Sequence, residues 1–325
     1  MSGRWLIRRI ATSILVLLIA LAVNFAIPRL MPGSPVDLLA GGAKLTTEAR
    51  DALVARFGLD ASLGEQFGRY LVGAAKGDLG LSFAYFPRPV QDLVAQALPW
   101  TLLVLLSSLV LQVLIGYFAG VESAWNAGSR TDTVLSTVSL VFFSTPLFWV
   151  AMVLLYVFGF QLGWLPLGGA YTIGAAHTSL FARIGDIASH AVLPVVSLTL
   201  AQYAAYQLIL RNNLIGVRKE QYVLIAEAKG LSEAKVKHKH AARNALLPVV
   251  TFLGLSFAMS VGGAVFVESV FSYPGIGKLM YDSVLSRDYP TLQGCFLVFA
   301  LVVVAGNFLV DVAYRFLDPR IQYAS

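Results

Sequence analysis

Apolar runs long enough to cross a lipid bilayer constrain this chain more than anything else in it. Ile10–Ile27, Thr101–Ala124, Val134–Phe160, Val192–Leu210, Leu246–Phe271 and Phe296–Phe316 each come close to or exceed the roughly 20 residues that a helix needs to traverse hydrocarbon. Inside lipid the backbone has no water to bond, so such runs close their hydrogen bonds as helices. The expectation is an all-α integral membrane protein with six transmembrane helices. A composition of 57% hydrophobic and 13% charged residues agrees with it.

Charge orients the runs. Arg4, Arg8 and Arg9 precede the first, Arg130 lies in the turn Asn126–Thr133, and Arg315 and Arg320 stand at the end of the sixth. Basic residues collect on the cytoplasmic side. Both termini are therefore expected there, in a multi-pass protein of the inner or plasma membrane. Ile10–Ile27 is long for a signal-peptide core, and Ile27-Pro28-Arg29-Leu30 offers no small-residue cleavage site, so it reads as a retained first span. The net charge of +6 follows from topology and is no nucleic-acid footprint.

Met31–Leu98 is of another kind, mixed polar with Gly, Pro and acids, and is expected outside as a small extracytoplasmic segment. Thr46–Phe57 reads as a helix capped by Thr46 or Thr47, and Gln66–Lys76 as a second. The segment is either a packing cap or a docking surface. Trp100, Tyr117 and Trp125 fit an interfacial aromatic belt. Pro146 interrupts the third span, as a kink lining a pathway or as plain curvature. In the fifth span, Gly254, Ser256, Ser260, Gly262 and Gly263 permit close helix contact or leave room for a passing molecule. Glu268, near its outer end, needs a partner or water there. Ser256, Ser260, Gly262, Gly263 and Glu268 are the candidate gate or pathway residues.

The main polar island in the apolar half is Glu220–Pro248. Arg211, Arg218, Lys219, Lys229, Lys235, Lys237, Lys239 and Arg243 outweigh Glu220, Glu227 and Glu233 in and around it, which places it inside. It reads as two short helices. Glu220 suits the start of the first, and Gly230 can take the left-handed conformation that ends it. Ser232 caps the second. Ala226, Ala228 and Gly230 carry little or no side chain, so a partner surface can approach that backbone closely. The surrounding basic residues, read as exposed, would tune orientation more than affinity, and Lys237→Glu is expected to be mild.

Little here points to chemistry. Cys295 is the single cysteine, so no internal disulfide is available. His238 and His240 do not share a helix face, and no metal site is expected. Ser144, Ser256 and Ser260 have no histidine within a span to activate them, so no catalytic residue is assigned. There is no Gly-x-x-x-x-Gly-Lys-Ser/Thr phosphate loop, and no cofactor is assigned to the chain.

The order of residues in the polar island carries a resemblance. Tyr222-Val223, Ala226-Glu227-Ala228-Lys229-Gly230-Leu231-Ser232 and Arg243-Asn244-Ala245-Leu246-Leu247-Pro248 resemble the coupling loop of ABC-importer membrane subunits, in its dipeptide/oligopeptide/nickel branch. The acidic residue that names that loop is replaced by Leu224. Pro32-Gly33-Ser34-Pro35 is similar to the family's Pro-Gly-Asp-Pro, with Ser34 departing. Phe57-Gly58-Leu59-Asp60, Gly77-Asp78-Leu79-Gly80 with Ser82, Leu98-Pro99, Glu268-Ser269-Val270-Phe271, Pro274-Gly275-Ile276-Gly277, Arg287-Asp288-Tyr289-Pro290 and Leu317-Asp318-Pro319-Arg320 extend the match nearly end to end. It looks like the B-type subunit.

The resemblance implies a type-I ABC importer permease architecture. Residues 1–30 would hold the N-terminal tail and first span, 31–98 the extracytoplasmic segment, 99–317 the transmembrane core with its coupling loop at about 216–244, and 318–325 the C-terminal tail. It implies a heterodimer with a second homologous permease, two ABC ATPase subunits that bind ATP and Mg, and an extracytoplasmic substrate-binding protein, all in membrane lipid. Tyr222, Ala226, Glu227, Ala228, Lys229, Gly230, Leu231 and Ser232 would couple to the ATPases. Di- or oligopeptides are the implied cargo, with oligosaccharides, glycosides, opines, glutathione or nickel as alternatives. A self-sufficient secondary transporter is the reading from another class, and it would prefer charges at mid-span, where there are almost none.

Overall fold

The computed structural model describes residues 3–30, 46–56, 60–176 and 179–317. Pro32–Pro35, Phe57–Leu59 and the tail from Asp318 lie outside them. The described residues form helices and one isolated antiparallel bridge, Leu81 to Pro89.

Helix α1 spans Gly3–Leu30, α2 Thr47–Arg56 and α3 Leu63–Lys76. Helix α3 starts three residues before the expected Gln66, because Ser62 caps it and Glu65 returns the bond, a Ser-x-x-Glu capping box, while Gly77 ends it in a left-handed turn at φ 77°. Helix α4 runs over Val90–Trp125 and α5 over Arg130–Ser144. Pro146 does more than curve the third run. It stands at the N-cap of α6, Leu147–Leu154, which continues as a π-helix over Leu155–Gln161, and α5 is bent by 102° from this Leu147–Gln161 stretch. Helix α7 is Leu180–Val217. Then come α8, Gln221–Ala228, and α9, Glu233–Lys235, which passes through a π-helical Val236–Ala241 into α10, Ala242–Ala245. Helix α11 is Leu247–Val270, α12 Ile276–Leu285 and α13 Tyr289–Leu317. Among the described residues, five helices are long and apolar enough to cross a membrane, or six if α5 and the Leu147–Gln161 stretch form one bent span.

The chain divides into two compact units that interleave along the sequence. The first holds residues 1–101 and 274–304. In it α1 packs on α3, with the Phe25 ring 5.1 Å from Phe67, and Asn24 Nδ2 donates to Tyr70 Oη at 3.0 Å and to the Gln293 carbonyl at 2.8 Å.

The second unit holds residues 102–273 and 305–325, and α7 is its spine, packed against α5, α6 and α11. Helix α4 lies on α7 at a Gly-x-x-x-Gly step, Gly116 and Gly120. A Cβ at Gly116 would collide with the Tyr206 Cβ and sit 3.1 Å from the Tyr203 carbonyl oxygen; one at Gly120 would lie 2.9 Å from the Gln207 carbonyl.

Candidate functional site

The polar island is built into the second unit and is no free loop. Val223, Ala226, Val236, Ala241, Ala242 and Ala245 are buried in one core cluster with Val121, Ala124 and Trp125 of α4 and Tyr206, Leu210 and Leu214 of α7. Helix α8 thus has two faces. Val223 and Ala226 point inward, and Ala226 is only 5% exposed. Tyr222, Leu224, Ile225, Glu227, Ala228 and Lys229 point outward. Of the small residues singled out, Ala228 and Gly230 are open to a partner, while Ala226 faces this chain's own core.

Gly230 takes φ 73° and ends α8, and a Cβ there would meet nothing. Ser232 stands at the N-cap of α9 without a side-chain capping bond. Leu231 is partly buried against the core cluster. Tyr222 Oη accepts from Asn244 Nδ2 at 2.8 Å, tying α8 to α10.

Basic residues read as exposed are partly engaged. Lys237 is buried and pairs with Glu122 on α4, so the expectation that Lys237→Glu is mild does not hold. Arg211 makes a two-pronged pair with Asp132, Nε and Nη2 each at 2.6 Å from a carboxylate oxygen. Asp132 also accepts from Ser123 Oγ and from the Gly128 backbone at 2.9 Å, so the Asn126–Thr133 turn is fastened to α7. Lys219, Lys229, Lys235 and Lys239 are exposed.

Two aromatics expected at a membrane interface bond to this region. Tyr117 Oη and His238 Nδ1 share a hydrogen bond of 2.9 Å. Trp125 is 7% exposed, and its indole N–H donates to Glu233 Oε1 at 2.6 Å.

The candidate gate residues lie on α11. Ser256, Ser260, Gly263 and Glu268 are buried inside the unit. Ser260 Oγ donates to Gln202 Oε1 at 2.8 Å, and a Cβ at Gly263 would press on Leu198 and Leu147 at 2.9 and 3.0 Å. Gly262 differs: it is exposed, with open space where a Cβ would stand. It falls in an exposed stripe with Leu255, Met259 and Phe266. Beyond α11, Tyr273 donates its backbone N–H to the Glu268 carbonyl at 2.8 Å. Burial pushes the Tyr273 hydroxyl up to about 12, with Glu268 as the lesser cause.

In the first unit the structure joins two motifs far apart in sequence. Asp288 is fully buried. Its carboxylate accepts from Ser82 Oγ, from the Phe83 and Ala84 backbone N–H groups at 3.0 and 3.3 Å, and from Thr291 Oγ1 at 2.7 Å and Thr291 N at 3.3 Å. The last of these caps α13. Arg287, at φ 54°, supplies the sharp turn before it. Both motifs were visible in the sequence; their pairing was not.

Comparisons with known proteins agree with this architecture. Residues 112–323 match the family model described as binding-protein-dependent transport system inner membrane component, and residues 2–104 match its N-terminal companion. The chain is 36% identical over 319 residues to the oligopeptide transport system permease protein AppB of Bacillus subtilis (strain 168), covering 98% of this chain and 99% of that one. It is 36% identical, with the same coverage, to the glutathione transport system permease protein GsiC of Escherichia coli (strain K12). Its fold is similar to a structure of the MetNI methionine ABC transporter in inward-facing conformation, at TM-score 0.57 and 15% identity over 70% of this chain and 96% of that one.

Proposed function

The chain belongs to the family of binding-protein-dependent transport system inner membrane components, and on that premise we propose that it forms half of an import path for di- or oligopeptides. It is a non-catalytic ABC importer permease subunit, and ATP is hydrolysed in the partner ATPases. The peptide cargo is supported by the names of its relatives, which include oligopeptide and glutathione permeases. The other half of the path would be a second, homologous permease, and an extracytoplasmic binding protein would deliver the cargo.

The observation that carries the coupling role is the two-faced helix α8. Its inner face is fixed in the core by Val223 and Ala226, while Leu224, Ile225 and Ala228 stand exposed beside the Gly230 turn. An apolar outer face on a short helix rigidly seated from behind is a docking feature for an ATPase groove. On α11, the outward stripe Leu255, Met259, Gly262 and Phe266 is the face proposed to meet the second permease and the path. Ser256, Ser260, Gly263 and Glu268 would support it from within.

The test is cross-linking in the assembled transporter. With Cys295 replaced by Ser, Ala228→Cys is expected to cross-link to an ATPase subunit, and Ala226→Cys is not. Cross-linking through position 226 but not 228 would overturn the reading. Orientation is tested in intact cells with an impermeant thiol reagent. Ser62→Cys should be labelled, and labelling of Ser232→Cys would reverse the proposed sidedness, cytoplasmic termini included.

A further inference from the structure

Trp125 is the last residue of α4, and the structure gathers an unusual number of partners on it. Its carbonyl oxygen accepts from Arg218 Nη1 at 2.6 Å, which closes the C-terminal end of the helix. The same Arg218 guanidinium lies over the indole, 4.6 Å from the ring centroid. Lys237 Nζ stands 6.0 Å from that centroid while it pairs with Glu122. The indole N–H donates to Glu233. One side chain therefore touches the region just past α7, the start of α9 and the π-helical turn that follows.

These contacts also have a register. Tyr117, Glu122 and Trp125 along α4 meet His238, Lys237 and Glu233 in reverse order. The segment after Gly230 runs antiparallel along the last turns of α4 and is fastened at three heights. Lipid contact does not account for a tryptophan buried this way. A helix pushed or pulled at α8 would carry α4 with it.

We propose that Trp125 is a positioning residue that makes α4 and the Glu220–Ala245 region move as one body, so that displacement at the ATPase contact reaches the spanning helix. The inference rests on the coupling role proposed above for α8. Trp125 itself touches neither cargo nor nucleotide.

The experiment uses the complete transporter in proteoliposomes with Cys295 replaced by Ser. Spin labels are placed at Phe118→Cys on α4 and Lys229→Cys beyond α8, both exposed positions. With Trp125 present, the label distance should be narrow and the same with and without ATP. Trp125→Ala should broaden it and make it shift with ATP. Uptake of trialanine per ATP hydrolysed should fall by about tenfold, within the usual range of site-to-site coupling. Trp125→Phe keeps a ring for Arg218 but loses the N–H, and should fall between the two.

Glu233 is exposed, so Glu233→Ala threatens the fold least and should match Trp125→Phe. A distance that shifts with ATP when Trp125 is intact overturns the proposal. So does a wild-type distribution in Trp125→Phe and Glu233→Ala together. If Trp125→Ala abolishes the Ala228→Cys cross-link, Trp125 merely supports the fold and the proposal is overturned. If that cross-link is missing with Trp125 intact, the coupling reading itself has failed and the proposal falls with it.

Discussion

Asp288 and Trp125 are both nodes that join distant parts of the sequence, and they do it with opposite chemistry. Asp288 is fully buried and is held by hydroxyl and backbone donors from residues 82–84 and 291. Trp125 is held by charged groups, of which Arg218 and Glu233 are themselves exposed. A buried acceptor met by fixed dipoles has no good alternative arrangement, because each donor left unpaired costs its full desolvation. Exposed ions lose little when they part, since water replaces the partner. The first node holds by burial alone; the second holds because several contacts close on one buried ring at once, so that no single exposed ion carries it.

The largest effect should come from the first node. Asp288→Ala strands its buried donors and is expected to cost about 3 kcal/mol or more, read as a drop in the thermal midpoint of the purified complex. Asp288→Asn keeps one acceptor oxygen and should lose less. If Asp288→Ala unfolds like wild type, the contrast between the nodes collapses.

Next comes the seam on which the second node depends. Gly116→Ala drives a methyl into Tyr206 and the α7 backbone, an overpacking expected to cost about 2 kcal/mol. Stability and transport should fall together in the same thermal and uptake measurements. Backbone cannot yield as a flexible side chain can.

Gly230→Val should cost about 1–2 kcal/mol, because an L residue is strained at a positive φ, although a Cβ there meets nothing in this chain. Its mark should be weaker co-purification of the ATPases with only a small change in thermal midpoint. Equal losses in both would mean that the turn serves the fold alone. The smallest effect belongs to Lys239→Glu, a charge reversal at an exposed site, which should leave stability and co-purification near wild type. Lys237→Glu, two residues earlier, sets two carboxylates together against Glu122 and should be clearly damaging in both. That pair of substitutions separates an engaged lysine from a free one on the same segment.

Much of the candidate site was legible, and the reason differs by residue. Gly230 could be read because a positive φ is a local demand that glycine meets best. The end of α3 at Gly77 is local in the same way, although its start was placed at Gln66 and the Ser62–Glu65 capping box was missed. Lys237 was misread as a free charge, and the partners of Trp125 were not foreseen. Their types carry no sign of whether lipid, water or another helix lies opposite. Ala226 and Ala228 are identical in the sequence and two residues apart, yet one faces the core and the other is open, a difference set by the register of α8 against α4 and α7.

The sequence by itself determined that this is a helical membrane protein, where most of its spans lie, which stretch is the polar island and where that island turns. Those follow from runs of apolar residues and from glycine and proline acting on their own backbone. Only the tertiary structure decided that the third run breaks by 102° at Pro146, that Ser82 and Thr291 share Asp288, and that the polar island is clamped on Trp125. Each depends on what a residue meets across tens or hundreds of positions. Packing, rather than local propensity, chooses that partner.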